Sequence, residues 1–185
     1  MQAVKRSGFR PGEVNSGRRA WARGEMNSPI GQLTLIADEF GLRAIRFPLS
    51  GPLEQEVEIR RDFGPLLPVI EQLRAYFGGE LQRFDLPLSP SGSEFQQAVW
   101  QALAQIPYGE TISYSTLAAR LGRPRAVRAV GAANGANPLP IVLPCHRVIG
   151  SNGSLTGFAG GLQSKAWLLG HERRCAGGAQ GELWC

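Results

Sequence analysis

Hydrophobic spacing in the N-terminal half of the chain predicts a hairpin followed by a helix. Residues 31–37 and 42–47 favour strands, and residues 38–41 between them favour a turn, which together indicate two antiparallel strands. Further along, apolar residues recur at helical spacing, at Leu66, Ile70, Leu73 and Phe77. Gly78 and Gly79 are expected to end this helix. This part of the chain should therefore hold a small sheet with one helix.

The C-terminal half begins with two predicted helices. Ser93, followed three residues later by Gln96, is a capping-box pattern that marks the start of the first helix. An apolar stripe, best explained as core, continues along it through Phe95, Val99, Leu103 and Ile106. Ser113 is expected to cap a second, shorter helix that runs to Leu121 and ends at Gly122.

A third helix should follow after a tight turn, with Pro124 in its first turn and its end at Gly135. Two short helices joined in this way predict a helix-turn-helix. One side of the third helix is expected to face the core, with Ala126, Val130, Ala133 and Asn134. The opposite side sets arginine among methyl groups, with Arg125, Arg128, Ala129 and Ala132. Small side chains let a helix approach a duplex closely, although ordinary surface charges are an alternative.

These patterns predict an α/β N-terminal domain, a small sheet with a helix, at residues 26–90. A mostly α C-terminal domain with a winged-helix-like helix-turn-helix should follow at residues 91–173, after a proline-marked linker. Residues 1–25 are rich in Gly, Arg, Ser and Pro and are expected to form a disordered basic lead-in. Residues 174–185 are expected to be a flexible tail. Nothing in the N-terminal domain indicates chemistry.

Composition narrows the class of protein. The chain has 185 residues, of which 43% are hydrophobic, as in a globular protein. No apolar run approaches the roughly 20 residues that span a bilayer, so no membrane association is expected. Three cysteines at positions 145, 175 and 185 do not form a disulfide framework, which favours a reducing compartment. Two histidines and no Cys-x-x-Cys argue against a structural zinc site, and no cofactor is expected.

Charge is distributed unevenly along the chain. Residues 26–109 hold six basic and ten acidic residues, whereas residues 110–185 hold eight basic and three acidic residues. The first 25 residues add six basic and two acidic ones. A basic C-terminal half indicates a polyanionic partner, with a merely solvated face as the alternative.

The segment at residues 139–150 carries the candidate chemistry. An apolar run ends in Pro144, and Cys145, His146 and Arg147 follow directly. A cysteine beside groups that can carry positive charge is a candidate thiolate, because positive charge lowers a thiol pKa. Taken alone, the pair is weak support, since a buried cysteine is more often a small hydrophobic residue.

The string around Cys145, PCHRVIG at residues 144–150, resembles the active-site signature of the O6-alkylguanine-DNA alkyltransferases. Further matches follow the family's order along the chain: GETISY at 109–114, RAVRAVG at 125–131, Asn-Pro at 137–138, GFAGG at 157–161 and KAWLLGHE at 165–172. The resemblance covers residues 93–173 strongly and residues 26–92 weakly. It implies a monomeric DNA repair protein that acts in the cytoplasm, or in the nucleus of a eukaryote.

The resemblance also implies a reaction. An alkyl group would pass from O6 of guanine in duplex DNA to Cys145, irreversibly and once per molecule. His146 would act as the base through a water, and Glu172 would orient it. Tyr114 would give a proton to the guanine ring nitrogen as the bond to oxygen breaks.

By the same resemblance, the target nucleotide is turned out of the duplex while the third helix lies in the minor groove. Arg128 would fill the gap, and Tyr114, Arg125, Ala126, Ala129 and Gly131 would complete the DNA-binding face. The flipped base would be held by Val148, Phe158, Ala159, Pro140 and Asn137. Phe158 stands where most members have tyrosine, and Ala159 could offer only its backbone N–H to O6.

Three alternatives remain at this stage. Some relatives of this fold bind alkylated guanine without repairing it, with tryptophan in place of the cysteine. The others are a cysteine hydrolase that uses Cys145 and His146, and a plain helix-turn-helix regulator. The thiols of Cys175 and Cys185 are expected to be incidental.

Overall fold

The computed structural model describes residues 20–48, 58–60 and 64–177. The N-terminal sheet has the strand order β3-β2-β1-β4. Its strands are β1 (Ala20–Ser28), β2 (Gly31–Asp38), β3 (Gly41–Arg46) and β4 (Glu58–Arg60). The β1–β2 and β2–β3 pairs are antiparallel and the β1–β4 pair is parallel. The predicted hairpin is thus β2 and β3, and it forms the sheet's far edge.

Strand β1 corrects part of the predicted lead-in at residues 1–25, because residues 20–25 belong to a strand. Trp21 is buried, and the Arg43 guanidinium lies 4.5 Å from its ring centroid. Arg23 and Glu25 are exposed and make the composition of the segment polar. For this reason the sequence does not indicate a strand here, although one face of the strand is buried. The rest of the predicted lead-in, residues 1–19, lies outside the described residues.

Helix α1 (Leu67–Phe77) packs on the sheet, as its spacing predicts. Its buried residues are Val69, Ile70, Leu73 and Tyr76. Pro68 lies in its first turn, where a missing N–H costs nothing. The helix ends at Gly78, and Gly79 has a φ of +78°. Tyr76 is fully buried and Phe77 only partly so, which directs a phenol into the interior.

The C-terminal domain is mostly helical, as predicted. Its helices are α2 (Glu94–Leu103), α3 (Tyr114–Arg120), α4 (Val127–Gly135) and α5 (Gly161–Gly177). Both halves of the predicted capping box form: Ser93 Oγ accepts from Gln96 N at 3.3 Å, and Gln96 Oε1 accepts from Ser93 N at 2.8 Å. Ser113 caps α3, and Gly122 has a φ of +68° beyond its end.

Two boundaries differ from the prediction. Helix α4 begins at Val127, because a bond from Ala126 N to Arg123 O at 2.9 Å closes a separate turn that contains Pro124. Helix α5 continues to Gly177, so the predicted tail from residue 174 begins with ordered helix. Residues 178–185, with Cys185, lie outside the described residues.

Two features join the Cys145 segment to the rest of the fold. A short parallel pair, β5 (Ile112–Ser113) and β6 (Val148–Ile149), connects it to the start of α3. A bond from Ile45 N to Pro138 O at 2.9 Å connects it to the N-terminal sheet. One hydrophobic cluster extends from the sheet through α1 into the C-terminal helices. No helix in the described ranges is long and apolar enough to cross a bilayer.

Candidate active site

Cys145 lies in a buried segment that connects α4 to β6. Every residue from 139 to 148 is buried. Asn137 holds the segment at both ends of a turn, because its Nδ2 donates to Leu143 O at 2.7 Å and its Oδ1 accepts from Leu139 N at 3.0 Å. Ile141 has a φ of +77°, a strained conformation for a β-branched residue. The backbone around Cys145 is therefore held in a defined and locally strained shape.

Glu172, on α5, is the centre of a buried hydrogen-bond network. Its Oε1 accepts from His146 Nε2 at 2.7 Å, Tyr76 Oη at 2.7 Å and Arg147 Nη2 at 3.0 Å. Its Oε2 accepts from Arg147 Nε at 2.9 Å and from Gly109 N at 3.1 Å. Arg147 also donates to Ile106 O at 2.6 Å. The carboxylate is inaccessible to solvent yet fully satisfied, as a buried charge requires.

These partners determine the protonation of Glu172. Burial alone would raise the pKa of its carboxyl group, but the hydrogen bonds from His146 and Arg147 and the charge of Arg147 outweigh burial and lower it to about 2. Glu172 is therefore an anion at neutral pH and can only accept hydrogen bonds.

The carboxylate in turn determines the tautomer of His146. Burial lowers the pKa of this histidine despite the attraction of Glu172, so the resting imidazole is neutral. Its Nε2 must carry the proton that Glu172 accepts, which leaves the lone pair on Nδ1. Among the described residues Nδ1 has no hydrogen-bond partner. His146 thus presents a free basic nitrogen.

Cys145 is a candidate nucleophile whose protonation depends on its surroundings. Burial raises the pKa of its thiol to about 11, although a hydrogen bond from Asn137 and the charge of Lys165 both lower it. Arg147, one of the two neighbouring groups that can carry positive charge, is bound to Glu172. Cys145 is therefore a neutral thiol at rest, and nucleophilic attack requires a base.

Lys165 is a site residue that the sequence analysis did not identify. Its Nζ donates to Val148 O at 2.6 Å and to Thr156 O at 2.7 Å, and it lies 6.0 Å from the Tyr114 ring centroid. Burial lowers the pKa of its ammonium group, whereas Cys145 raises it. Its spacing of seven residues before Glu172 puts both on one face of α5, which was a usable signal.

Tyr76 is a second omission, and it corrects the view that the N-terminal domain contributes no chemistry. Its side chain extends from α1 to the carboxylate of Glu172. No sequence signal distinguishes it from the apolar residues on the same face of α1.

The predicted substrate loop, residues 157–161, packs on the N-terminal domain. The Phe158 ring lies 5.5 Å from the Phe47 ring and 6.4 Å from the His146 ring, measured between centroids. A Cβ at Gly160 would lie 2.6 Å from the Phe47 ring, so only glycine fits there. Ala159 is exposed and Pro140 is buried. The loop thus borders the Cys145 segment.

The predicted DNA-binding residues lie on one exposed surface around α4. Arg125, Arg128 and Ala129 are exposed, with Ala126 and Gly131 partly covered. A Cβ at Gly131 would lie 3.9 Å from the Tyr114 ring, so α4 and the start of α3 are close. The Tyr114 hydroxyl donates to Thr156 O at 3.4 Å. Arg125 occupies the turn before α4 rather than the helix itself.

No group of three or more His, Cys, Asp or Glu residues in the described part of the chain could hold a metal ion.

Two family models match consecutive parts of the chain. The ribonuclease-like domain of 6-O-methylguanine DNA methyltransferase matches residues 23–90, and the DNA binding domain of the same protein matches residues 94–174. A methylated-DNA–protein-cysteine methyltransferase of Methanosarcina acetivorans is 48% identical over 156 residues, covering 80% of this chain and 96% of the relative. The Mycolicibacterium paratuberculosis protein of that name is 50% identical over 154 residues, covering 80% and 90%.

A solved structure is similar as well. Mycobacterium tuberculosis OGT in complex with DNA has a TM-score of 0.76 and 45% identity, covering 84% of this chain and 94% of that chain. The similarity to these proteins extends through both domains.

Proposed function

The chain belongs to the 6-O-methylguanine DNA methyltransferase family, and we propose that it transfers an alkyl group from O6 of guanine in duplex DNA to its own Cys145. One observation carries the assignment to Cys145. The buried thiol is followed by His146, whose Nε2 is bound to an ionised carboxylate and whose Nδ1 has no partner in the part of the chain that the structure describes. This is the arrangement of nucleophile, base and orienting group that activates a neutral thiol.

The reaction is a direct displacement. His146 Nδ1 takes the proton of the Cys145 thiol through a bridging water, and the sulfur attacks the alkyl carbon. The carbon–oxygen bond breaks, and its electron pair passes to the guanine. Tyr114 gives its proton to the ring nitrogen, so the base leaves neutral. The proton gained by His146 balances the one lost by Tyr114 until solvent exchanges both.

Proton transfer leaves His146 as an imidazolium and Cys145 as a thiolate, and two charged groups stabilise them. Glu172 stabilises the imidazolium of His146, because the two are hydrogen-bonded at 2.7 Å in a site of low dielectric. Lys165 stabilises the thiolate, since its charge lowers the pKa of Cys145. The product is a thioether, which water does not hydrolyse at neutral pH. Each molecule therefore accepts one alkyl group and is consumed.

The target atom is inaccessible in a stacked duplex, so the nucleotide must be flipped out. We assign the exposed surface around α4 to the minor groove, with Arg125 at its edge and Arg128 in the space that the base leaves. Ala126, Ala129 and Gly131 allow close approach of the backbone. Repair acts at any sequence, so phosphate contacts and the lesion carry the affinity. Action on chromosomal DNA places a bacterial or archaeal protein of this kind in the cytoplasm.

The flipped base is proposed to lie between the Cys145 segment and the substrate loop. Pro140 and Phe158 pack against the alkyl group. The backbone N–H of Ala159 donates a hydrogen bond to O6, and the carbonyl of Val148 accepts one from the base. That carbonyl already accepts from Lys165, and its second lone pair remains for the base. Asn137 keeps the segment in shape through its bond to Leu143 O.

Intact mass spectrometry tests the reaction. After mixing with a duplex that carries one O6-methylguanine, the protein should gain one methyl group, mapped to the Cys145 peptide and saturating at one per chain. Cys145→Ala should gain no methyl group yet bind the lesion with wild-type affinity. Tight binding by the wild type without a mass gain would favour the non-catalytic binder, and removal of the alkyl group by Cys145→Ala would contradict the mechanism.

The position of Arg128 has a separate test. Arg128→Ala should slow repair of a duplex by about tenfold or more, because only duplex DNA requires extrusion. Its reaction with free O6-benzylguanine should stay unchanged. Equal losses on both substrates would contradict the gap-filling role and favour an ordinary surface charge.

A further inference from the structure

Tyr76 connects the N-terminal domain directly to the catalytic carboxylate. Its hydroxyl donates to Glu172 Oε1 at 2.7 Å, the same oxygen that accepts from His146 Nε2 at 2.7 Å. The two donors therefore share one oxygen atom. Tyr76 is completely buried, so water cannot replace its hydroxyl in this position.

The ring of Tyr76 is held from several sides. It packs edge-on against Phe77, Tyr108 and His171 at centroid distances of 5.4, 6.0 and 5.5 Å, and Phe84 lies tilted at 5.4 Å. Its carbonyl oxygen accepts from His171 Nε2 at 2.8 Å. A phenylalanine would make the same ring contacts. The phenol hydroxyl must therefore be explained by its bond to Glu172, since burying a hydroxyl without a partner is costly.

We infer that Tyr76 is a positioning residue for alkyl transfer, which holds Glu172 Oε1 in place behind His146 and makes the N-terminal domain part of the acid–base relay. The inference rests on the proposed function, in which His146 is the base that takes the proton of Cys145. Tyr76 touches neither the thiol nor the DNA base. It acts through Glu172.

The physical effect of Tyr76 has a definite sign. A donor to Oε1 takes up part of the negative charge that attracts the His146 proton. Removing the donor strengthens that attraction, so the pKa of His146 should rise. Burial and the Glu172 charge raise the pKa of Tyr76 well above its usual value, so the phenol remains a donor throughout the working range.

Other charged and titratable groups face the same pair and stay in place. Arg147 and Lys165 lower the pKa of His146, and Glu172 raises it. Cys145 lies beside His146, and Tyr108 lies near Tyr76. None of these groups is altered by removing one oxygen atom from Tyr76, so a change in titration can be assigned to the lost hydrogen bond.

The test compares Tyr76→Phe with Tyr108→Phe. Tyr108 belongs to the same aromatic cluster, but its hydroxyl makes no hydrogen bond to Glu172, so it is a matched control. The first readout is the rate of a single round of alkyl transfer as a function of pH. The second is an NMR titration of the imidazole groups. The chain has only two histidines, so the His146 signals can be separated from those of His171.

In Tyr76→Phe the acid limb of the rate profile and the His146 titration should both move upward by about half to one pH unit, which is the effect of one net hydrogen bond. The plateau rate should change less than about threefold. Site-specific fluorotyrosine at position 76, a stronger donor that preserves the ring, should move both in the opposite direction. Tyr108→Phe should leave both where they are in the wild type.

The inference would be overturned if the acid limb of the pH–rate profile and the His146 titration stayed in place in both Tyr76→Phe and the fluorotyrosine protein. Shifts of equal size in Tyr108→Phe would also overturn it. Neither conclusion depends on the thermal stability of the variants. A purely structural role of Tyr76 predicts lower thermal stability with no change in the acid limb of the pH–rate profile. Failure of the proposed function is a separate result: the wild type would gain no alkyl group, while the His146 titration would still report the Tyr76 bond.

Discussion

The described part of the chain contains two cysteines, and each lies beside a histidine. Cys145 is adjacent in sequence to His146, and Cys175 Sγ lies 3.8 Å from His171 Nδ1 on α5. Both histidines are buried, and both direct Nε2 to an oxygen acceptor. The acceptors differ: His146 faces the carboxylate of Glu172, and His171 faces the neutral carbonyl of Tyr76.

In the proposed mechanism, this difference separates the pair that reacts from a pair that only packs. A carboxylate behind an imidazole stabilises the imidazolium that forms when a thiol gives up its proton. A carbonyl offers only a dipole to the other histidine, whose ring also stacks on Trp167 at 4.9 Å between centroids. A nearby histidine is therefore not enough to activate a cysteine. The group that accepts a hydrogen bond from the histidine decides whether the histidine can take the proton of the thiol. Tyr76 lies between the two pairs: its hydroxyl donates to Glu172 behind His146, and its carbonyl accepts from His171.

Glu172→Gln should have the largest effect, because it gives His146 a neutral partner like that of His171. We expect alkyl transfer to slow by about a thousandfold or more, since the amide neither fixes the tautomer nor stabilises the imidazolium. The measurement is a single-turnover rate on the methylated duplex. Arg147 would be left unpaired, so the variant should also lose about 3–5 kcal/mol of stability.

The double variant Arg147→Leu with Glu172→Gln is the control for that loss. It removes the unpaired charge of Arg147, so stability should return while the rate of alkyl transfer stays low. A double variant that regained wild-type transfer would contradict the role of the carboxylate.

Cys145 and His146 are candidates from the sequence alone, but the hydrogen-bond network behind them is visible only in the structure. Elements with local signals were predicted: the hairpin, α1, and the capping box at Ser93. Strand β1 was missed because its pairing with residues 31–37 is set by the hairpin and its own composition is polar. Tyr76 was missed because only one polar atom distinguishes it from the apolar residues beside it on α1. Lys165 was missed although its spacing of seven residues from Glu172 puts both on one face of α5. Arg147 follows Cys145 in sequence but faces Glu172 in space, a pairing that adjacency along the chain does not reveal.

Acid should weaken the hydrogen-bond network around Glu172. The folded-state pKa of Glu172 is depressed to about 2 from an ordinary value of 4.5. Its contribution is therefore complete above pH 4.5 and is lost as the pH falls toward 2. Urea unfolding across this window should show a loss of about 3 kcal/mol from this group. In the Arg147→Leu, Glu172→Gln double variant the slope should be smaller, and an equal slope would argue against a depressed pKa.

A simple electrophile should react faster with Cys175 than with Cys145, the reverse of the order expected for the alkylated duplex. The thiol of Cys145 is buried with a pKa near 11, whereas Cys175 is only partly buried. Iodoacetamide at pH 7.5 should therefore alkylate Cys175 about tenfold faster than Cys145. O6-methylguanine in a duplex should alkylate Cys145 alone. Peptide mapping of both reactions measures the ratio, and preferential labelling of Cys145 by iodoacetamide would show that its thiolate exists without substrate.

The smallest effect is expected from Cys175→Ala. If the group behind the histidine decides activity, the thiol on α5 takes no part in the reaction although it lies within 3.8 Å of an imidazole nitrogen. The rate of alkyl transfer should stay within about twofold of the wild type, and stability should fall by about 1 kcal/mol or less because the side chain is only partly buried. A larger loss of rate with stability unchanged would mean that His171 exchanges protons with the Glu172 network. The two pairs would then form one system through Tyr76, and the distinction between carboxylate and carbonyl would no longer explain why one thiol reacts.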